Sequence, residues 1–227
     1  MATLVITIDG PAASGKSTVA RLVAEKLGAT FLDTGAMYRA VTLAAVEDGV
    51  RWDDREQLAH VVEQHRFEFE VVGGTMRVRI DGNDVTDALR DVELTARVRH
   101  VAATPQVREK LVELQRVFAD RYERVVTEGR DQGTVAFPDA DVKLYLTADS
   151  AERARRRAAE LAARGAPADM DQIRNAIESR DRSDRNRAVG PLQPAADAIT
   201  IDTTRLPVEE VVEEVCRRIG EKCPGKP

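Results

Sequence analysis

Gly10 to Ser17 reads GPAASGKS and matches the pattern G-x-x-x-x-G-K-[ST]. The pattern is a device for holding phosphate. Its glycines let backbone N–H groups close around phosphate oxygens with no Cβ in the way, and a helix opening at the end of the loop adds its positive end. In such a loop Lys16 reaches the β- and γ-phosphates of a nucleotide, the Ser17 hydroxyl ligates Mg²⁺, and Thr18 offers a further hydroxyl or N–H. Gly10, Pro11, Ala12, Ala13, Ser14, Gly15, Lys16, Ser17 and Thr18 are therefore the expected ATP site, with Ser17 as the metal ligand.

Many proteins use such a loop, and the rest of the chain narrows the choice. A GTPase needs a guanine-reading N-K-x-D segment, which is absent, and a motor or transporter ATPase needs far more than 227 residues. A small kinase needs a second anion site for its acceptor and several cations over the transferred phosphoryl group. Three clusters can supply them. In DTGAMYR (33–39), Thr34 and Gly35 fall at a helix start that favours an anion, with Arg39 one turn further in; a plain helix cap beside a surface arginine is the bland alternative. In EGRDQG (128–133), Arg130 and Asp131 stand in a glycine-flanked turn after a predicted strand, at the end where open α/β sheets bind ligands. Arg130 suits a phosphate, and Asp131 can accept from an exocyclic amine or a hydroxyl.

The third cluster is a pair of cation-rich helical stretches, RARRR (153–157) and RDRSDRNR (180–187). Arg153, Arg156 and Arg157 share a helical face, as do Arg180, Asp184 and Arg187. Asp184 between two arginines can hold their guanidinium groups in place. Arg155 is expected to be a solvated residue paired with Glu152, and Arg182 and Arg185 to face solvent. The alternative for RDRSDRNR is a disordered charged tract; against it, the segment continues a helix anchored by Ile173 and Ile177, and a basic lid over ATP accounts for both stretches.

These residues need a frame. LVITI (4–8) is a short apolar, β-branched run and reads as a buried parallel strand leading into the loop; VARLVAEKLG follows with helical spacing and stops at Gly28. A second helix, capped by Asp33 or Thr34, ends at Gly49. From Phe67 the period becomes two, and RFEFEVV and MRVRIDG around Gly73-Gly74 predict an antiparallel hairpin. Residues 63–95 are read as a small inserted β subdomain. TPQVREKLVELQRVFADRY opens with a Thr cap and a first-turn Pro. RVVTEG and DVKLYLT predict two further buried strands. DSAERARRRAAELAARG predicts a helix opened by a capping box of Asp149 and Glu152 and closed by Gly165. MDQIRNAIESRDRSDRNR, the strand AITIDT and the amphipathic PVEEVVEEVCRRIG complete the pattern, with a frayed tail KCPGKP. Strand and helix alternate through most of the chain, which predicts a mainly parallel α/β sheet flanked by helices, in one domain over 1–227 with a lid region over 150–190.

The bulk composition agrees with a globular protein: 43% hydrophobic and 32% charged residues. With 34 Lys and Arg the net charge is still -5, so the surface as a whole is no nucleic-acid footprint, and only nine aromatic residues are available for stacking. Cys216 and Cys223 read as free thiols of a reducing compartment. No apolar run reaches membrane-spanning length and no signal peptide precedes the first strand, so a cytoplasmic, monomeric protein without nucleic-acid or membrane partners is expected. The rival class, a nucleotide-binding regulator that places its arginines on RNA, predicts salt-dependent RNA binding without acceptor-stimulated ATP consumption.

GPAASGKST, DTGAMYR, TPQVRE, EGRDQGTVAFPDA and RDRSDRNRAVGPL occur in this order, and with them the sequence resembles bacterial cytidylate kinases from residue 4 to about 215. The resemblance implies the P-loop nucleoside monophosphate kinase fold, with a β insert beside the acceptor site, and transfer of the ATP γ-phosphoryl to CMP or dCMP. A kinase of another small acceptor (UMP, dTMP or shikimate) is the nearest enzyme alternative. Position by position, Thr34, Arg39 and Arg130 would hold the CMP phosphate, and Arg108 and Asp131 would read the cytosine. Arg180 and Asp184 would contact sugar and phosphate, Arg187 would stand beside the transferring group, and Arg153 and Arg157 would be lid cations near the ATP phosphates. Lys16, Arg130, Arg157 and Arg187 are the implied catalytic cations. Two positions depart from the family pattern. His100 stands where a small serine commonly helps hold the base, and could equally be an ordinary helix residue; Gln132 replaces the usual methionine of the GRD-M-G segment.

Overall fold

The computed structural model describes residues 4–163, 165 and 167–225. The chain enters through β1 (Leu4–Asp9), the phosphate-type loop and α1 (Lys16–Lys26), then β2 (Thr30–Asp33) and α2 (Thr34–Glu47). Next come α3 (Arg55–Gln64), the short strands β3 (Phe67–Val72), β4 (Thr75–Ile80) and β5 (Asn83–Asp84), α4 (Val92–Ala102) and α5 (Pro105–Ala119). It closes with β6 (Arg124–Gly129), β7 (Val142–Thr147), α6 (Ser150–Ala163), α7 (Met170–Arg185), β8 (Ile199–Asp202) and α8 (Val208–Lys222).

Five strands form one parallel sheet in the order β2-β6-β1-β7-β8. Because both faces are covered, its strands are apolar on both sides, and successive residues feed different cores. Val125 of β6 packs with α2, α5 and the small sheet, whereas Val126 packs with β1, α1 and α8. β1 lies in the middle, so the loop after Asp9 opens at the C-terminal edge of the sheet, flanked by the ends of β6 and β7. The crossover from β1 runs to β2 on one side and the connection from β6 to β7 passes to the other, and the crevice at that reversal is where such sheets bind ligands.

The expected hairpin is present: β3 and β4 pair antiparallel from Phe67↔Ile80 to Val72↔Thr75, and β5 adds a third strand. Gly73 and Gly74 have φ of 59° and 77°, the pair of positive values that a two-residue hairpin turn requires. α3 and α4 bracket this sheet and carry no segment that the sequence reading had assigned to a helix.

Three local expectations are corrected. The Asp149 carboxylate does accept from the Ala151 N–H, but Glu152 turns outward to Arg155 and Arg156, and the Asp149 N–H is taken by Thr204 Oγ1, so the reciprocal half of the capping box is not made. The Thr104 hydroxyl donates to the His100 carbonyl instead of capping α5. The tail is anchored: Cys223 is buried in the core that α8 shares with α1, while Lys226 and Pro227 lie outside the described residues.

Candidate active site

The loop between β1 and α1 turns through two left-handed residues, Ala13 (φ 58°) and Gly15 (φ 89°). Gly10 lies so close to the Leu146 carbonyl at the end of β7 that a Cβ there would collide with it. Lys16 is buried at the first turn of α1, and its Nζ donates to the Pro11 carbonyl at 2.7 Å. Burial, reinforced by the like charge of Arg130, pulls its ammonium down to about 7. Below it the Asp9 carboxylate accepts from the Gln132 and Gly133 N–H groups at 2.9 and 2.8 Å. Burial outweighs those hydrogen bonds and pushes Asp9 up to about 7. Ser17 and Thr18 are exposed on α1, and the Ser17 hydroxyl donates to Glu128 Oε1 at 2.9 Å.

A second cluster of polar side chains is built from the end of β6 and the start of α2. Asp33 caps α2 through the Ala36 N–H at 2.8 Å and holds Arg39 Nη2 at 3.2 Å. The Thr34 hydroxyl donates to the Glu128 carbonyl at 2.6 Å, which ties α2 to β6. From α7, Asp184 accepts from Arg130 Nε at 2.9 Å and stands 3.8 Å from Arg187 Nη1. The helical spacing predicts Asp184 between Arg180 and Arg187; the carboxylate instead lies between Arg187 and Arg130, because the end of β6 brings Arg130 against α7. Burial, and the neighbouring Arg108, lower the pKa of Arg187, whose Nε and Nη2 are buried without a hydrogen-bond partner. Arg180 feels the like charges of Arg130, Arg157 and Arg39. Desolvation, then the like charge of Arg130, pulls Arg180 down to about 10, although the side chain as a whole is exposed.

Asp131 is buried and paired with Arg108, which also donates from Nη1 to the Ala102 carbonyl at 3.3 Å and lies 5.7 Å over the Tyr38 ring. Arg187 feels both members of that pair. Such a crevice, lined by a phosphate loop on one wall and by arginines on the other, can hold two polyanions against their mutual repulsion.

A family model described as Cytidylate kinase matches residues 6–221. The chain belongs to the cytidylate kinase family. It is 50% identical over 216 residues to a protein named Cytidylate kinase from Pelotomaculum thermopropionicum, covering 95% of each chain. It is 43% identical over 217 residues to one so named from Lactobacillus gasseri, covering 96% of this chain and 94% of the other. This member of the family is thus an enzyme, a kinase that transfers a phosphoryl group to CMP or dCMP, and the regulator reading and the other acceptors are not favoured.

Several residues implied by the resemblance have other partners in this structure. The His100 ring packs 5.7 Å from Trp52 and accepts from Arg99 Nε at 3.2 Å. The Gln132 side chain points into a buried polar net, accepting from Thr127 Oγ1 at 2.9 Å and donating to Gln115 Oε1 at 3.3 Å. The arginines of α6 share a face but part company in space. Arg153 is buried beneath the loop on Asp181 and Ala12, Arg156 reaches the Ser14 and Thr203 carbonyls, and Arg157 pairs with Glu160 at 2.9 Å. Arg155 is exposed and paired with Glu152. Asp9, Glu128 and Asp181 were given no role from the sequence; Glu128 opens the EGRDQG segment, Asp181 lies within RDRSDRNR and Asp9 immediately precedes Gly10, so position in or beside a motif was their only signal.

Proposed function

We propose that ATP seats its phosphates in the 10–18 loop and that CMP or dCMP lies between the start of α2, the end of β6 and the end of α7. The phosphoryl group then passes directly between them in line. The acceptor oxygen is already anionic, so no general base is needed, and catalysis rests on positioning and charge neutralisation. Thr34, Arg39 and Arg130 take the acceptor phosphate, Arg108 and Asp131 the cytosine, and Arg180 and Asp184 the sugar and phosphate. Lys16, Arg130, Arg157 and Arg187 face the transferring group. Residues 150–190 form the lid, and 63–95 the acceptor-side insert.

The observation that carries this reading is Arg187, whose side chain is 8% exposed beside Asp184 with two nitrogens unpaired. A buried donor without a partner costs roughly 1–3 kcal/mol, more when charged, and an incoming phosphate removes that cost. Ser17 and Glu128 offer two hard oxygen donors in contact, which fits Mg²⁺; that ion uses one or two carboxylates together with substrate phosphates. Among the described residues no group of three or more acidic, His or Cys side chains makes an all-protein cage. When bound, Mg²⁺ neutralises charge building on the phosphates.

The negative net charge supports an enzyme without nucleic-acid partners, and a cytoplasmic location goes with that reading. No helix of the described residues is long and apolar enough to cross a membrane. Lys16→Ala tests the loop assignment: transfer falls by about three orders of magnitude, the scale of one cation at the transferring group, while circular dichroism stays native. Near wild-type turnover contradicts it.

A further inference from the structure

The α6–α7 pair reaches the phosphate loop through one carboxylate. Asp181 of α7 is 2% exposed and accepts from the Ala12 N–H at 3.0 Å and from Arg153 Nη1 at 2.5 Å. The Ala12 N–H belongs to the same peptide unit as the Pro11 carbonyl, which accepts from Lys16 Nζ at 2.7 Å. That unit is therefore gripped at both ends, by Lys16 on one side and by α7 on the other. Arg153 holds the next unit, donating from Nη1 to the Ala12 carbonyl at 3.0 Å, and its Nε is fixed on the Ala148 carbonyl at 3.1 Å. The Ala12 methyl is buried with Ala154, Ile173 and Ile177, so the loop is part of the small apolar core of the helix pair. Directly after this clamp Ala13 adopts φ 58°, a left-handed conformation that a Cβ disfavours.

We infer that Asp181 is a positioning residue for ATP. It fixes the Pro11–Ala12 peptide, and through it the left-handed turn at Ala13 and the resting place of Lys16, and so couples the α6–α7 pair to the nucleotide loop. Asp181 needs no contact with either substrate. When ATP phosphates draw Lys16 away from the Pro11 carbonyl, the peptide loses its inner hold and the carboxylate of α7 keeps it in register. An Asn at this position has one acceptor oxygen for two donors and no charge, so the Ala12 N–H and Arg153 can no longer both be held and the clamp is lost.

The inference rests on residues 10–18 being the ATP loop, so the test includes a control for that reading. Initial rates are measured with ATP and CMP varied separately for the wild type, Asp181→Asn, Asp181→Asn with Ala13→Gly, and Lys16→Ala. Asp181→Asn raises the ATP KM about tenfold, the scale of one lost charge-assisted hydrogen bond. The CMP KM moves by less than about twofold, because uniform loosening of the fold is not what was removed. Adding Ala13→Gly recovers most of the ATP KM, since glycine takes the left-handed turn without a clamp. Equal rises in both KM values, or no recovery with glycine, overturn the inference. Wild-type ATP kinetics in Lys16→Ala overturn the loop reading and the inference with it; loss of activity in Lys16→Ala beside an unchanged ATP KM in Asp181→Asn overturns the inference alone. Should Asp181→Asn not fold, hydrogen exchange in the wild type decides. The Ala12 amide exchanges at least about tenfold more slowly than an unstructured amide, and exchange at the free rate overturns the clamp.

Discussion

Lys16 is held in a place where its charge is costly, and on the proposed reading the phosphates of ATP remove that cost. Its ammonium titrates near 7 in the free protein because it is buried beside Arg130, and phosphates alongside it favour the charged form. Above pH 7 the free enzyme loses that proton and ATP binding must restore it. The ATP KM therefore rises as pH climbs from about 7 to 9, by up to tenfold per unit, and calorimetry in buffers of different ionisation heat records proton uptake on binding at pH 8. The same shift has a signed effect on stability. Unfolded Lys16 holds its proton up to about 10.5, so between about 7 and 10.5 the unfolded state binds more protons and the fold gains stability as pH rises. Lys16→Met removes this dependence: the nucleotide-free variant melts higher than the wild type near pH 6, and the gap narrows toward pH 10. If Asp131 is the buried acceptor for the cytosine amine, as proposed, Asp131→Ala reduces the kcat/KM preference for CMP over UMP by about tenfold or more. An unchanged preference removes Asp131 from base reading.

At the scale of elements, α7 is the piece that makes the site work, through Asp184 on one turn and Asp181 on the turn before. Asp184→Asn leaves Arg130, Arg180 and Arg187 facing one another without the carboxylate between them. The free variant loses about 3 kcal/mol of stability, the scale for breaking a buried pair, and ATP with CMP raises its melting temperature more than that of the wild type, because phosphate replaces the missing charge. A ligand-induced shift no larger than the wild type's contradicts that role. The alternation of Arg180, Asp184 and Arg187 was legible in the sequence, because a single helix imposes it. So were β1 with its loop, and the hairpin at Gly73-Gly74, whose signals lie within a few residues. The clamp on Ala12 was not, since Asp181 lies 169 residues away and only the packing of α7 on the loop joins them. Ser17 and Glu128 meet across 111 residues for the same reason. α4 hid in a stretch with β-branched residues at Thr95, Val98 and Val101, and the boundary read at 95 falls inside it. The shared face of Arg153, Arg156 and Arg157 is real, yet α6 packs so closely on the loop that three neighbours on one face meet three different partners.

Across the whole molecule the two faces of the sheet serve different purposes. One core joins α2, α4, α5 and the small sheet beneath the acceptor side, and the other binds α1 to α8 behind the loop. Ile219 is fully buried in the second core, so Ile219→Ala costs roughly 2–5 kcal/mol in urea unfolding, while the CMP-to-UMP preference stays unchanged. A shift in preference would mean that this core also shapes the acceptor site. The central claim is that one crevice brings ATP and a cytidine monophosphate together and transfers a phosphoryl group between them. It is tested most directly by ADP release, with ATP and Mg²⁺ present, over a panel of CMP, dCMP, UMP, dTMP and shikimate. CMP or dCMP should exceed the other acceptors by about a hundredfold or more in kcat/KM, as a site built to hydrogen-bond one base demands. Comparable turnover of UMP, dTMP or shikimate, or ATP consumption indifferent to the acceptor, would contradict the account.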